Sequence, residues 1–112
     1  MEVRATARNV RVSPRKARLL LRQLPGKGVD EVLAFLRYTP TPHARLVAKV
    51  VRSAAANAEN NYQLDPGDLR IAAAYAGDGL RLKRYRARAR GRVGMVQRRL
   101  SNITVVVAER EG

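Results

Sequence analysis

The sequence predicts an α+β fold: a three-stranded antiparallel sheet packed on three helices, with a long extended β-hairpin. Three observations carry this expectation. Both ends of the chain alternate apolar and polar residues, and the middle repeats apolar residues at helical spacing. Between the last two strand-like segments, arginine recurs at every second position, in "RYRARARGRVG".

The first segment, "EVRATARNVRVS", puts Val3, Ala5 and Ala7 on one parity and Arg4, Thr6 and Arg8 on the other, as a half-buried strand does. Val10 and Val12 fall on the wrong parity. A bulge near Arg8 and Asn9 returns them to the apolar face. "SPRKARLLLRQLPG" reads as a helix with Ser13 as N-cap and Pro14 in its first turn. Ala17, Leu20, Leu21 and Leu24 make one buried stripe, and Pro25 and Gly26 end the helix. Arg15, Arg18 and Arg22 form a second, basic stripe, which is either a ligand surface or an ordinary solvated face.

"GVDEVLAFLRYT" is a shorter helix with Val29, Val32, Leu33 and Leu36 inward and Asp30 and Glu31 at its positive end. The third helix is the longest, opened by Thr41 and Pro42 and stopped near Asn60 and Asn61. Val47, Val50, Val51, Ala54 and Ala58 face the core, while Arg45, Lys49 and Arg52 recur on the other side. Asn57, Asn60 and Asn61 serve either as caps and turns or as contacts. "QLDPGD" is a turn. "LRIAAAYA" then alternates with Leu69, Ile71, Ala73 and Tyr75 on one side, until "GDG" at 77–79 interrupts it as a bulge or bend. "NITVVVAER" is the last strand, with Ile103, Val105 and Val107 sharing a parity.

If residues 71 and 105 pair antiparallel, the chain reverses near residue 88, and unpaired residues at 77–79 push the reversal to about 90. The chain then divides into one domain, residues 1–112, with a globular part (1–79 and 100–112) and a protruding arm (80–99). About ten residues of strand reach roughly 30 Å. Residues 80–100 hold nine basic side chains and no acid, so core packing does not explain the arm. In a strand, Arg84, Arg86 and Arg88 share an edge about 6.6 Å apart, and Tyr85 is placed to stack on a base. On a helix the same residues form no stripe. The plainer alternative for this tract is a solvated basic segment or a localisation signal.

Charge narrows the function. The chain carries 23 Lys and Arg against 9 Asp and Glu, a net charge of +14. Arginine outnumbers lysine 19 to 4, which favours the planar, bidentate recognition of phosphate over simple attraction to a lipid surface. The absence of cysteine excludes disulfides, cysteine-based zinc sites and thiol chemistry. His43 stands alone and builds no metal site. No apolar run approaches a membrane span, no secretory leader is legible, and the cytosol is the default location. No paired carboxylates, nucleophile motif or phosphate-binding glycine loop supports an enzyme, and no metal or cofactor is expected.

"SPRKARLLL", "AAANAENN", "LKR" at 82–84, "RARGR" at 88–92 and "ITVVV" occur in an order and spacing that resembles the bacterial family of large-subunit ribosomal protein twenty-two. The resemblance covers nearly the whole chain. It implies a globular domain on large-subunit rRNA and a hairpin whose tip lines the nascent-peptide exit tunnel. On that basis Ser13, Arg15, Lys16 and Arg18 belong to an RNA-contacting segment. Leu82, Lys83 and Arg84 belong to the arm, and the stretch from Arg88 through Ala89, Arg90 and Gly91 to Arg92 belongs to its tip.

The full set expected on rRNA adds Arg8, Arg11, Arg22, Arg45, Lys49, Arg52, Asn57, Asn60, Asn61, Tyr85, Arg86, Arg98 and Arg99. Neighbouring ribosomal proteins and the nascent chain complete the partners; neither a membrane nor a homo-oligomer is expected. An RNA- or DNA-binding protein outside the ribosome shares the charge without the motifs. A cationic membrane-active peptide needs an apolar arm face that Ala87, Ala89 and Gly91 do not supply. The family usually has Pro at Ala87, Thr-Ser-His at residues 100–102, and a polar residue within "VGM" at 93–95, so tip conformation and any histidine-specific contact are expected to differ.

Overall fold

Strand β1 (Glu2–Val10) opens the computed structural model, which describes residues 2–87 and 93–109. Helices α1 (Pro14–Leu21), α2 (Val29–Tyr38) and α3 (His43–Tyr62) follow, then a 3₁₀ turn at Pro66–Asp68, strand β2 (Leu69–Ala87) and strand β3 (Val93–Glu109). The sheet has the order β1-β3-β2 and both pairings are antiparallel. The α+β architecture expected from the sequence is therefore the one observed.

Alternation explains the sheet's inner face. Val3, Ala5 and Ala7 of β1 stand opposite Val107, Val105 and Ile103 of β3, and the three β3 residues are fully buried. The helices cover this face: Ala17, Leu20 and Leu21 from α1, Val29, Val32 and Leu36 from α2, and seven residues of α3 from Ala44 to Ala58 join the same core. Each fully buried Val or Leu contributes about 1.5–3 kcal/mol. Small side chains on α3 let it lie close to β1 and β3.

The two bulges expected from phase slips are present. In β1 the register shifts between Ala7 and Val10, and Asn9 adopts φ 55°. In β2 it shifts between Asp78 and Arg81, so that Gly79 and Leu80 oppose Leu100. A third shift, between Ile71 and Ala73, was not legible in "IAAAYA". It reverses the expected parity. Leu69 and Ile71 are buried as expected, but beyond the shift Ala76 turns inward while Tyr75 is exposed. A run of alanines offers no large side chain to reveal the slip. Beyond Arg81 the ladder is unbroken to Ala87 opposite Val93; the expected reversal lies outside the described residues.

The helix ends differ in detail. Helix α1 stops at Leu21, three residues before buried Leu24. The Gln23 and Leu24 N–H groups donate to the Leu20 and Leu21 carbonyls, so the chain tightens without losing the apolar stripe. Ser13 Oγ accepts from the Lys16 N–H as expected of an N-cap. Helix α3 begins one residue after Pro42, and Thr41 contributes its carbonyl, not its side chain, to the first turn. Its end lies past Asn60 and Asn61. Gln63 takes the left-handed conformation, and the Gln63 and Leu64 N–H groups return to the Glu59 and Ala58 carbonyls. At Asp65, Oδ1 accepts from the Gly67 N–H, as the turn sequence foretells.

The free edge of β2 is covered from within the chain. The Gly26 N–H donates to the Ile71 carbonyl and the Ile71 N–H to the Lys27 carbonyl, both at 2.8 Å. Gly26 has φ +87°, which only glycine adopts readily. Further along, the Arg18 Nε and Nη2 donate to the Ala76 carbonyl at 3.1 and 3.0 Å. A segment and a guanidinium thus occupy backbone groups that would otherwise invite another strand.

The molecule measures 66 × 26 × 17 Å with a radius of gyration of 17.1 Å. A compact chain of this length would have about 13 Å. The excess belongs to the β2–β3 ladder past the bulge. At that bulge a Cβ on Gly79 would lie 2.8 Å from Asn9 Oδ1 and 3.1 Å from the Leu100 backbone. Gly79→Ala is expected to destabilise the fold by about 1–3 kcal/mol, read as a lower urea midpoint at unchanged slope. Gly77→Ala, whose added Cβ meets nothing within 4 Å, should leave the midpoint nearly in place.

Candidate nucleic-acid interface

Three basic surfaces arise from local rules. On α1, the helical period that buries Ala17, Leu20 and Leu21 leaves Arg15, Lys16, Arg18 and Arg22 exposed. Arg18 is the exception among them. Two of its five N–H groups bind the Ala76 carbonyl, so it ties α1 to β2 while three donors remain for a ligand. Ser13 is committed as the N-cap.

On α3, Arg45, Lys49 and Arg52 lie on the exposed face. Asn60 extends their line toward the helix end. Asn57 lies roughly 80° around the axis from Lys49 at 100° per residue and is half-buried. Asn61 is exposed, on the flank nearer the core stripe. The α3 face also borders a cleft against the end of α2, lined by Arg37, Thr39, Thr41, Pro42, Arg45 and Arg52. Arg37 escaped the sequence reading because it stands alone in the pattern of α2.

The third surface gathers where the arm leaves the sheet. Arg8 and Arg11 flank the end of β1, and register sets Arg81 opposite Arg99 one step beyond the bulge. All four are exposed. Arg81 joins this group only through pairing across the sheet, which sequence spacing does not show. Farther out, the ladder sets Leu82 opposite Arg98, Lys83 opposite Gln97, Arg84 opposite Val96, Tyr85 opposite Met95 and Arg86 opposite Gly94. The expected tip residues Arg88, Ala89, Arg90, Gly91 and Arg92 lie outside the described residues.

A small polar network fixes this junction. Asn9 Oδ1 accepts from the Leu80 N–H at 3.0 Å, and the Asn9 N–H donates to Asn102 Oδ1 at 3.0 Å. Asn102 Nδ2 donates to the Asp78 carbonyl at 3.4 Å. Ser101, fully buried, donates its hydroxyl to the Val12 carbonyl. One asparagine pair therefore stitches β1, β3 and β2 together at the root of the arm. Asn tolerates the left-handed backbone at position 9 better than most residues. Asn102 uses both ends of its amide here.

Among the described residues no helix is long and apolar enough to cross a membrane, and no group of three potential metal ligands occurs. What the fold presents is basic surface on two helices and on a braced, protruding ladder: the make-up of a structural protein of a ribonucleoprotein. The chain matches the family model described as "Ribosomal protein L22p/L17e" over residues 5–108, and it belongs to that family.

It is 51% identical over 111 residues to "Large ribosomal subunit protein uL22" of Carboxydothermus hydrogenoformans, covering 99% of this chain and 98% of the relative. It is 52% identical over 110 residues to the protein of the same name from Clostridium novyi, covering 98% and 99%. For Halothermothrix orenii the figures are 47% over 111 residues, covering 99% and 98%. The chain is thus a large-subunit ribosomal protein of bacterial type, located in the cytoplasmic ribosome, and a structural component, not an enzyme.

The network makes a separable prediction. Asn9→Gly keeps the left-handed backbone and removes only the side-chain acceptor, so amide exchange at Leu80 should accelerate while that at buried Val105 does not. Asn9→Ala adds the left-handed strain and should cost about 1–2 kcal/mol more in global stability, measured by denaturant unfolding.

Proposed function

We propose that this protein binds large-subunit rRNA through its α1, α3 and arm-root surfaces and carries the hairpin, residues 80–99, into the subunit so that residues 88–92 line the nascent-peptide exit tunnel. The observation that carries the proposal is the unbroken ladder from Arg81 to Ala87, which runs on after β1 has ended. With residues 80–100 carrying nine basic side chains and no acid, this ladder suits a negatively charged environment.

Recognition rests on phosphate and shape more than on base sequence. The exposed groups are mostly arginines on regular elements, and such contacts position a protein without reading bases. Neutralising several phosphates releases counterions, so affinity falls steeply with salt. Relief of the chain's own repulsion at +14 adds to binding and to the stability of the assembled state.

Two outcomes check this reading. The double variant Lys49→Glu/Arg52→Glu should bind an rRNA transcript at least tenfold more weakly at about 0.1 M salt and show a shallower slope of log affinity against log salt; identical slopes would remove α3 from the interface. Arg84→Glu should lower the amount of protein that co-sediments with large subunits at raised salt. Unchanged stoichiometry there would count against an RNA-bound arm, and a photoreactive group at Arg88 that never captures nascent peptide would count against the tunnel position.

A further inference from the structure

The helices cover one face of the sheet and, among the described residues, no helix packs on the other. On that open face the β3 residues Thr104, Val106 and Ala108 form a floor that is 5–7% exposed. Register places Arg4 and Thr6 along its β1 side and Arg70, Ala73 and Tyr75 along its β2 side. Arg8, exposed, follows on β1 where the register shifts between Ala7 and Val10. The residues fall in cross-strand rows: Arg4, Val106 and Ala73; Thr6, Thr104 and Tyr75. Tyr75 reaches this face because of the unforeseen bulge at Ala72, which turned it away from the core.

We propose that this helix-free face is a further rRNA site, taking an unpaired base against the Tyr75 ring and its flanking phosphates on Arg4 and Arg8; the inference rests on the rRNA-binding function proposed above. Three features favour RNA over a protein partner. The face carries Arg4, Arg8 and Arg70 against Glu2 alone. Its floor is built from small side chains, with the Thr6 and Thr104 hydroxyls hydrogen-bonded to each other at 3.1 Å, which leaves one O–H and further lone pairs for a ligand. Tyr75 is 47% exposed on an outer strand, where its ring can serve as a stacking platform. Neighbouring strands are about 4.8 Å apart and two residues of strand rise about 6.8 Å, so the backbones of the β1 arginines and the tyrosine stand roughly 12 Å from each other on the diagonal, a span that the long arginine and tyrosine side chains shorten to the reach of a nucleotide and its flanking phosphate.

The test uses the full-length protein and an rRNA transcript. Tyr75→Ala should weaken binding about tenfold without changing the salt slope, since stacking releases no counterions, and Tyr75→Phe should restore it. Arg4→Ala should weaken binding and lower the slope by about one. In parallel, ultraviolet irradiation of assembled large subunits containing the unmodified chain should link RNA to the peptide that holds Tyr75, a readout independent of any variant's folding. If Tyr75→Ala and Arg4→Ala bind as tightly as the parent while Lys49→Glu/Arg52→Glu does not, the open face is not an RNA site and the function proposed above stands. If none of these variants weakens binding and Arg84→Glu leaves co-sedimentation unchanged as well, that function fails with it. A crosslink from Tyr75 to protein instead of RNA also overturns the proposal.

Discussion

Strand β3 is paired on both sides along its C-terminal half and with β2 alone along its N-terminal half. The rest of the molecule depends on that change. Where β1 runs beside it, β3 contributes Ile103, Val105 and Val107 to a closed core. Where β1 ends, the β2–β3 ladder continues without a third strand. A two-stranded ribbon is marginal alone in water, so its geometry is inherited from the three-stranded part through the junction. The network of Asn9, Asn102, Asp78 and Leu80, together with the close approach at Gly79, makes that inheritance specific.

Charge acts in the opposite direction to packing. At +14 the free chain repels itself, and the arm concentrates that charge away from the acidic residues. The core is small and built from valine, leucine and alanine. Among the described residues, arginines tie the globular part together where a guanidinium finds a partner, as Arg18 does at the Ala76 carbonyl and Arg37 over the Tyr38 ring. Under the proposed function the remaining basic residues gain partners in the assembled particle.

Much of this was legible in the sequence, for identifiable reasons. Helical stripes were clear because leucine and valine mark buried positions unambiguously, as in Ala17, Leu20, Leu21 and Leu24. The bulges at Asn9 and Gly79 were legible because a parity change and a glycine pair flank them. The slip at Ala72 was not, because alanine fits either face, and so the outward turn of Tyr75 was missed. Arg81, Arg37 and the sheet-face arginines Arg4 and Arg70 were missed for a different reason. Their grouping depends on which strands are neighbours, and no one-dimensional spacing encodes the order β1-β3-β2. Arg18 was assigned to a ligand surface, whereas the fold also uses it as a tie between layers.

The central claim is that the braced ladder carries the basic arm into RNA. Site-specific crosslinking from position 86, in assembled large subunits that contain the chain at full occupancy, tests it most directly. The account predicts RNA as the main crosslinked partner, with yield falling when the junction is loosened by Asn102→Ala. A chain present in every subunit whose position 86 captures no RNA would contradict it.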